Sequence, residues 1–464
     1  MRPKPSAPTA LRPYQSSACD FLLASSTAML AADPGLGKTR VSLEAARAAE
    51  AKRVLVVCPA VARVSWQSEV SKWGWPAAGA VVCDDPRELS ATCPGVYVVT
   101  YGQLARPRWR AVLRNLRWDV LICDEAHRLK ERSTACTKAI YGARCDGKGG
   151  VAGTAERVWL LTGTPAPNNY GEVWTHLHAL APTRIHTASG KPMDHRRFVE
   201  HVCVLRETPF GAQVVGSKNA PWLKERLSGW MLRQRKAEVA KDLPALDFMD
   251  VPVALDHDVY LRELALAMDD MAAANGGQVP MPETPDLDAM DDDAFVTAAA
   301  RDPHVATVRR ALGRAKAGPA AEWITEFLSG SDKKIIVFAL HRDVMDRLEK
   351  ALVKFGVARV DGATSTQGRT DAVDAFQGKD GPRVFLGQIM AAGTAITLTN
   401  ASDVVMVEMA WTPADNFQAA CRAHRLGQKD GVMVRVLNAP DTLDERVARV
   451  LRQKTQDIAA VFGT

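Results

Sequence analysis

Residues 28–50 read AMLAADPGLGKTRVSLEAARAAE, an apolar run joined to a helical pattern by a glycine-rich turn. A strand, such a turn and a helix are the context that a phosphate-binding P-loop requires. Gly35 and Gly37 let backbone N–H groups approach a phosphate, which side chains would obstruct. Lys38 can reach the β- and γ-phosphates of a nucleotide, and the Thr39 hydroxyl can ligate Mg²⁺. The stretch therefore predicts a nucleotide site at the end of a buried strand.

Further apolar runs surround this stretch and alternate with helical patterns. Near-continuous apolar runs suit parallel strands that are buried on both faces, and helices between them indicate βαβ crossovers. A second set of runs lies at about 333–438, so the sequence predicts an α/β protein with two tandem parallel sheets flanked by helices. The runs of the first set are AMLAAD, RVLVVCP, GVYVVTY, WDVLICDE and RVWLLTGT, and those of the second are KIIVFAL, VARVDG, RVFLGQ, DVVMVEMAW and GVMVRVL.

The chain of 464 residues is too long for one ordinary core. We expect a first domain over 1–245, with a helical protrusion at about 171–240. Residues 246–330 are expected to form a linker and helical insertion, and their acidic stretch 282–295 is expected to be a solvated loop. The second domain is expected over 331–464.

Composition narrows the class of protein. A hydrophobic fraction of 47% with 24% charged residues is normal for a soluble globular chain. No apolar run approaches the roughly 18 residues of a membrane span, and the N-terminus has no apolar signal core. The nine cysteines show no C-x-x-C spacing, so we expect reduced cysteines and no structural metal. The sequence predicts a cytoplasmic protein without a membrane partner, and a monomer.

The net charge of +6 is compatible with a nucleic-acid partner, although many basic proteins bind none. Two arginine-rich segments, RPRWRAVLRNLRW (106–118) and MLRQRK (231–236), stand out. For each, a solvated helix with tryptophans facing the core is favoured over a dedicated binding patch.

The segment VLICDEAHRLK (120–130) places two carboxylates after an apolar strand. Ligands bind at the carboxyl ends of strands in open α/β sheets. Asp124 could hold Mg²⁺, and Glu125 could orient and deprotonate an attacking water. The alternative for these residues alone is an acidic turn, which the accompanying P-loop disfavours.

Hydroxyls follow a third strand in WLLTGTPAPNN (159–169). Thr162 and Thr164 could sense the γ-phosphate or couple the two domains. A simple turn is the competing interpretation, and spacing alone does not decide between them.

The segment QAACRAHRLGQKD (418–430) contains Arg422 and Arg425, three residues apart. On a helix they would project from the same face. Guanidinium groups present paired donors, so two of them indicate a clamp for phosphate oxygens.

Taken in order, these segments resemble superfamily 2 helicases, specifically Swi/Snf-type DNA translocases, from about residue 11 to 450. DPGLGKT, DEAHRLK and LLTGTPAPNN are similar to motifs I, II and III of that family, and QAACRAHRLGQ is similar to motif VI. VEMAWTP (407–413) and RAKAGPAAEWITEFL (314–328) resemble the HARP-type annealing-helicase branch. The chain departs from the family pattern before the P-loop glycines and at Thr394, Ala395 and Thr397, where hydrolysis is coupled to DNA movement.

The resemblance implies two RecA-like domains with ATP and Mg²⁺ in the cleft between them, and Arg422 and Arg425 as arginine fingers. The resemblance also implies that Gln15 contacts adenine, and it assigns further residues to nucleotide contact, to coupling and to DNA contact. Nucleotide contacts are Gly35, Leu36, Gly37, Lys38, Thr39, Arg40 and Gly393; coupling or DNA contacts are His127, Thr162, Thr164, Pro59, Ala60, Thr100, Tyr101, Thr364, Ser365, Thr399, Asn400 and Gln418. For the DNA contacts, plain strand-end turns are the alternative.

The implied function is a DNA-dependent ATPase that translocates along double-stranded or forked DNA. Three alternatives remain: a strand-separating DNA or RNA helicase, although no pin is evident in the sequence; a non-hydrolysing DNA clamp, which the intact catalytic residues disfavour; and the motor subunit of a larger nuclease or restriction complex.

Overall fold

A computed structural model describes residues 10–76, 79–89, 92–187, 190–208, 211–274, 303–392, 396–425 and 427–451. The chain divides into two compact units, with the boundary between Lys241 and Asp242. The acidic stretch 282–295 and Gly393 lie outside the described residues. Within the described part of the chain, no helix is long and apolar enough to cross a membrane.

The described residues of the first unit form nine strands. They are β1 (Thr27–Ala32), β2 (Arg53–Cys58), β3 (Ala80–Val82), β4 (Gly95–Thr100), β5 (Trp118–Asp124), β6 (Ala155–Thr162), β7 (Cys203–Thr208), β8 (Gly211–Ser217) and β9 (Met231–Gln234). Seven of them make a parallel sheet in the order β3-β4-β2-β5-β6-β1-β9, while β7 and β8 pair with each other as an antiparallel ribbon. Because the sheet is parallel, the carboxyl ends of its strands share one edge.

Helices between these strands complete the first unit. They are α1 (Pro13–Leu23), α2 (Lys38–Ala48), α3 (Arg63–Trp73), α4 (Tyr101–Leu104), α5 (Pro107–Asn115), α6 (Ala135–Tyr141), α7 (Trp174–Leu180), α8 (His195–Val202), α9 (Ala220–Leu227) and α10 (Lys236–Val239). The five apolar runs expected as strands are β1, β2, β4, β5 and β6. Their interiors are almost entirely buried, as a sheet covered on both faces requires.

The described residues of the second unit form a six-stranded parallel sheet. Its strands are β10 (Leu246–Pro252), β11 (Ile335–Ala339), β12 (Val357–Val360), β13 (Val384–Gln388), β14 (Asp403–Met406) and β15 (Val432–Asn438), and its helices are α11 (His257–Ala274), α12 (Pro303–Ser329), α13 (Arg342–Leu352), α14 (Thr366–Gln377), α15 (Ile389–Ala392) and α16 (Pro413–Ala420). The strand order is β10-β15-β14-β11-β13-β12. The prediction of two α/β sheets flanked by helices is confirmed.

Three sequence-based expectations were wrong. The segment 171–240 is not purely helical, because it contains the β7–β8 ribbon and strand β9. Strand β9 pairs with the outer side of β1, with Met29 beside Met231. MLRQRK is therefore a sheet strand followed by the start of α10, rather than a solvated helix. Strand β10, in the expected linker, pairs with β15 over its whole length. It is an edge strand with mostly exposed side chains, so it lacks the apolar run that marked the inner strands.

Candidate functional site

The P-loop lies between β1 and α2. Gly35 and Gly37 have φ angles of 92° and 84°, a region that glycine enters without steric cost. Lys38 Nζ donates a hydrogen bond to the carbonyl of Ala32, 2.7 Å away, so the lysine folds back over the loop. The loop therefore has the backbone and the cation expected of a phosphate site.

Gln15, from α1, fastens this loop from its outer side. Its Nε2 donates to the carbonyl of Leu36 at 3.2 Å, and its Oε1 accepts from the backbone N–H of Arg12 at 3.0 Å. A Cβ atom at Gly37 would lie 2.6 Å from Gln15 Nε2, which gives that glycine a second reason to be there. The side chain is buried beside the phosphate loop, and its contact with adenine stays a prediction.

Asp33 ties the loop to strand β9, a contact that sequence reasoning missed. Arg233 Nη2 donates to Asp33 Oδ1 at 2.7 Å, and the backbone N–H of Lys236 donates to Asp33 Oδ2 at 2.9 Å. Arg233 Nη1 also donates to the carbonyl of Ala31 at 3.0 Å. The available signal is MLRQRK itself, whose arginines, taken from the sequence alone, favour a solvated helix.

The acidic pair stands at the end of β5. Trp66 Nε1 donates to Asp124 Oδ2 at 2.9 Å, and the N–H of Glu125 donates to Asp124 Oδ1 at 3.0 Å. Burial, and then the neighbouring Glu125, raise the pKa of Asp124 to about 6, while Trp66 and Lys38 oppose the rise. Burial lowers the pKa of Lys38, against the pull of Glu125 and Asp124. The lysine and both carboxylates thus act on one another at the same sheet edge.

His127 links the acidic pair to the threonine segment. Its Nδ1 lies 3.4 Å from Glu125 Oε2 and 3.4 Å from Thr162 Oγ1. Thr162 is buried and accepts a hydrogen bond from the N–H of Thr164 at 3.1 Å. A Cβ atom at Gly163 would lie 3.2 Å from the Pro34 ring, so this segment also packs on the P-loop. The geometry can transmit a change at Glu125 to residues 162–164.

The residues present fit a Mg²⁺-bound nucleotide. Thr39 sits in the first turn of α2, and a hydroxyl and a carboxylate, here Thr39 and Asp124, are oxygen ligands that suit Mg²⁺. The guanidinium of Arg40 lies over the Trp73 ring at 3.9 Å, which fixes it beside the loop. These individual contacts with a nucleotide or metal remain predictions.

The residues proposed to contact DNA in the first unit follow β2 and β4. Ala60, after Pro59, is exposed. Thr100 is buried, and its Oγ1 accepts from the N–H of Gln103 at 3.1 Å as the cap of α4. The Tyr101 hydroxyl donates to the carbonyl of Asp124 at 2.7 Å. The last two side chains therefore have structural partners, whereas the contacts with DNA stay predictions.

Their counterparts in the second unit also lie at element ends. Thr364 donates and accepts hydrogen bonds in a turn closed by Asp361, and Ser365 caps α14 by accepting from the N–H of Gly368 at 3.1 Å. Thr399 Oγ1 accepts from Gln377 Nε2 at 3.4 Å, and Asn400 bonds to the same glutamine.

The arginine pair differs from expectation. Helix α16 ends at Ala420, so Arg422 and Arg425 lie in turns after it rather than on one helical face. The carbonyl of Arg422 accepts from the N–H of Leu398 at 2.9 Å, a cross-link that competes with continuing the helix. Arg422 is buried, and Arg425 Nη1 donates to Thr397 Oγ1 at 2.8 Å.

Buried polar side chains hold these turns. His424 Nε2 lies 2.8 Å from the carbonyl of Pro244, and Gln428 Nε2 donates to the carbonyls of Ala401 and Ala423 at 2.9 and 3.2 Å. Gln418 is buried on α16. The turns that carry both arginines are therefore fixed within the second unit.

Two parallel-sheet units, a P-loop lysine and an adjacent acidic pair define a helicase-like ATPase. A profile of the SNF2-related domain matches residues 14–260, and one of the helicase conserved C-terminal domain matches residues 320–427. The chain belongs to the SNF2-related family, which confirms the resemblance seen in its motifs.

Two relatives support membership of the SNF2-related family. The SWI/SNF-related matrix-associated actin-dependent regulator of chromatin subfamily A-like protein 1 homolog of Caenorhabditis elegans is 29% identical, over 98% of this chain and 62% of that protein. Human DNA annealing helicase and endonuclease ZRANB3 is 28% identical, over 96% of this chain and 40% of that protein. This chain thus spans 40 to 62% of these two relatives.

Among solved structures, the Sulfolobus solfataricus SWI2/SNF2 ATPase core in complex with dsDNA is similar to this chain. The match has a TM-score of 0.44 and 22% identity, and covers 99% of this chain and 96% of that one.

Proposed function

We propose that this chain is a DNA-dependent ATPase that couples ATP hydrolysis to translocation along double-stranded or forked DNA. The observation that carries the proposal is the meeting of Lys38, Asp124 and Glu125 at one edge of the first sheet, where each alters the charge environment of the others. Membership of the SNF2-related family supports the choice of DNA as the track.

In this proposal Lys38 binds the β- and γ-phosphates of ATP, and Glu125 orients and deprotonates the attacking water. Thr39 and Asp124 would hold Mg²⁺, which neutralises charge on the phosphate oxygens. His127, between Glu125 and Thr162, passes the state of the site to the threonine segment. The chemistry needs no covalent intermediate, so positioning and electrostatics carry it.

Arg422 and Arg425 are proposed to stabilise the charge that develops on the transferring phosphoryl group. Arginine fingers in other NTPases contribute roughly 10³ to 10⁵ in rate. Hydrolysis would then require the second unit even though the first holds the P-loop. This dependence would make turnover responsive to the movement that advances DNA.

Contacts with DNA are proposed to be mainly with phosphates, because a motor must ignore sequence. The proposed positions lie at strand and helix ends: Pro59, Ala60, Thr100, Tyr101, Thr364, Ser365, Thr399 and Asn400. Log affinity for duplex DNA should fall with log salt concentration by about 0.9 per phosphate neutralised.

The test is ATP turnover measured in parallel with no nucleic acid, single-stranded DNA, duplex DNA, forked DNA and RNA. Stimulation by duplex or forked DNA, without strand separation, is the expected result. Stimulation by RNA alone, or equal turnover in all five reactions, contradicts the proposal.

A strand-separating helicase is the second candidate, and one observation favours it. Among the described residues, the β7–β8 ribbon pairs with no strand of the seven-stranded sheet, as an element that splits a duplex could do. Release of a labelled strand from the forked DNA in the same reactions would favour this candidate over translocation alone.

A further inference from the structure

Arg106, Arg110 and Arg114 follow one another at four-residue intervals along α5, and Arg117 follows the helix just before β5; these four residues are here called the arginine face. The opposite side of α5 is fixed in the core, because Trp109 and Leu113 are buried. Arg106, Arg114 and Arg117 are exposed, and Arg110 is half-buried. The helix is therefore a rigid support that presents cationic groups to solvent.

These four guanidinium groups have no ion pair and no side-chain hydrogen bond among the described residues. Nearby acids are already engaged. Arg63 binds Asp84 at 2.6 Å, and Arg87 binds Asp85 at 2.9 Å. Like charges placed together repel one another, so the arginine face does not stabilise the fold through charge.

Two further cations lie close to the face. Arg114 Nη2 is 3.8 Å from where a Cβ atom of Gly149 would be, which puts the loop 144–149 beside α5. Arg144 and Lys148, in that loop, are exposed and form no ion pair with a described residue. The positive region thus extends beyond one helix.

The lack of exposed large apolar side chains near the arginine face favours a nucleic-acid partner over a protein partner. Protein interfaces depend on buried aromatic or aliphatic side chains at their centre. Among the described residues between 82 and 203, no large hydrophobic side chain is exposed. A face made of guanidinium groups without such anchors suits a phosphate backbone, whose oxygens match their paired donors.

The spacing also fits a phosphate chain. Arg106, Arg110 and Arg114 follow one another at four-residue intervals, so on a helix they lie on one side, about 6 Å apart along its axis. Successive arginines can therefore contact successive phosphates of one strand. Such contacts carry no base information, as a motor requires.

We propose that the arginine face binds the phosphate backbone of duplex DNA, as a contact region additional to the strand-end positions. This inference rests on the proposed function, since it extends the DNA contact of the same motor. The contact raises affinity for the track without touching the residues that hydrolyse ATP.

The experiment compares Arg114→Gln/Arg117→Gln with the parent and with a control of equal charge loss, Arg196→Gln/Arg197→Gln. The control arginines are exposed on α8 and are paired with Glu200 and Asp194. Duplex affinity is measured by fluorescence anisotropy at several salt concentrations, and ATP turnover is measured at saturating duplex. The charge-retaining variant Arg114→Lys/Arg117→Lys tests whether charge alone suffices.

The face variant should bind duplex about tenfold more weakly, and the salt slope should shrink by about 1.8, or 0.9 for each lost phosphate contact. Turnover at saturating duplex should equal that of the parent, and the lysine variant should regain most of the slope. The control should retain the parental slope.

The inference would be overturned if the face variant bound duplex DNA with the affinity and salt slope of the parent. If DNA still stimulated ATP turnover in the parent, the proposed function would remain. Binding of a labelled polyglutamate is measured in the same anisotropy assay. Its loss in the face variant, with unchanged duplex binding, would also overturn the inference, in favour of an acidic protein partner. No DNA stimulation in the parent would instead contradict the proposed function.

Discussion

The two units hold their candidate catalytic side chains in different ways. In the first unit Lys38 begins α2 after the loop that follows β1, and Asp124 ends β5. Both side chains are already hydrogen-bonded to neighbours, at 2.7 Å to Ala32 and 2.9 Å to Trp66. In the second unit Arg422 and Arg425 lie in turns after a helix. Their positions depend on a few hydrogen bonds from the surrounding turns.

This difference separates two tasks. A site assembled on the edge of a rigid sheet is suited to bind a nucleotide without rearrangement. Arginines carried on turns of a separate unit are suited to act at only one stage of a cycle. Substitutions in the first unit should therefore affect binding or chemistry at the P-loop, and those in the turns should affect turnover alone.

Within the first unit, the largest expected effect comes from removing the proposed general base, Glu125. Glu125→Gln keeps the shape of the side chain but cannot accept the proton, so DNA-stimulated turnover should fall by about 10² to 10⁴. Nucleotide affinity, measured by equilibrium binding, should stay near the parental value. The exposed Glu156→Gln serves as the control, and turnover of Glu125→Gln at the parental rate would contradict the assigned role.

The next largest effect tests whether the P-loop depends on the ion pair that joins Asp33 to Arg233 of strand β9. Arg233→Ala leaves the buried Asp33 carboxylate without its partner, so the first unit should lose about 3 kcal/mol of unfolding free energy and bind nucleotide more weakly. Arg235→Ala removes an exposed pair with Glu238 and should cost less than about 1 kcal/mol. Denaturant unfolding compares the two, and equal costs would show that Asp33 is not an anchor.

The smallest expected effect is a difference between the two units in how their stability depends on pH. Burial lowers the pKa of His176 from 6.5 to about 3 in the first unit. The unfolded chain therefore binds a proton that the folded chain refuses, and stability is lost as pH falls below 6.5. In the second unit, bonds from Arg435 and Lys333 outweigh burial and lower the pKa of Asp403, so its contribution is lost only below about 4.

Between pH 7.5 and 5 the first unit should lose about 2 kcal/mol through His176, at about 1.36 kcal/mol per pKa unit. Urea unfolding of the parent and of His176→Gln measures this, and the variant should show less pH dependence. The exposed His186→Gln should behave like the parent. An unchanged pH profile in His176→Gln would remove the histidine as the cause.

Much of the fold and part of the site could be predicted from local pattern. Inner strands such as β1 and β5 are continuous apolar runs, and the residues after them carry the P-loop and the acidic pair. Asp247 and Asp250 interrupt edge strand β10, and Arg233 and Gln234 end the outer strand β9, so neither strand is a continuous apolar run. Pairing with β15 and β1 decides their structure, and pairing is not a local property.

The same limit applies to contacts between distant segments. Arg233 and Asp33 are 200 residues apart, and their bond follows from β9 lying beside β1. The turns at Arg422 depend on Leu398, which a helical spacing argument cannot include. The phosphate contact expected of the arginines rests on residue type and stays a prediction, whereas the turns that hold them could not be predicted from the local sequence.

Whether the second unit supplies the arginines for hydrolysis is tested most directly by ATP affinity and maximal turnover of Arg422→Ala and Arg425→Ala. The control is Arg347→Ala, an exposed arginine of the second unit that is paired with Glu263. We expect ATP dissociation constants within about threefold of the parent and turnover reduced by roughly 10³ or more at saturating DNA. Parental turnover in both variants, or affinity lost in proportion to turnover, would contradict the division of binding and catalysis between the units.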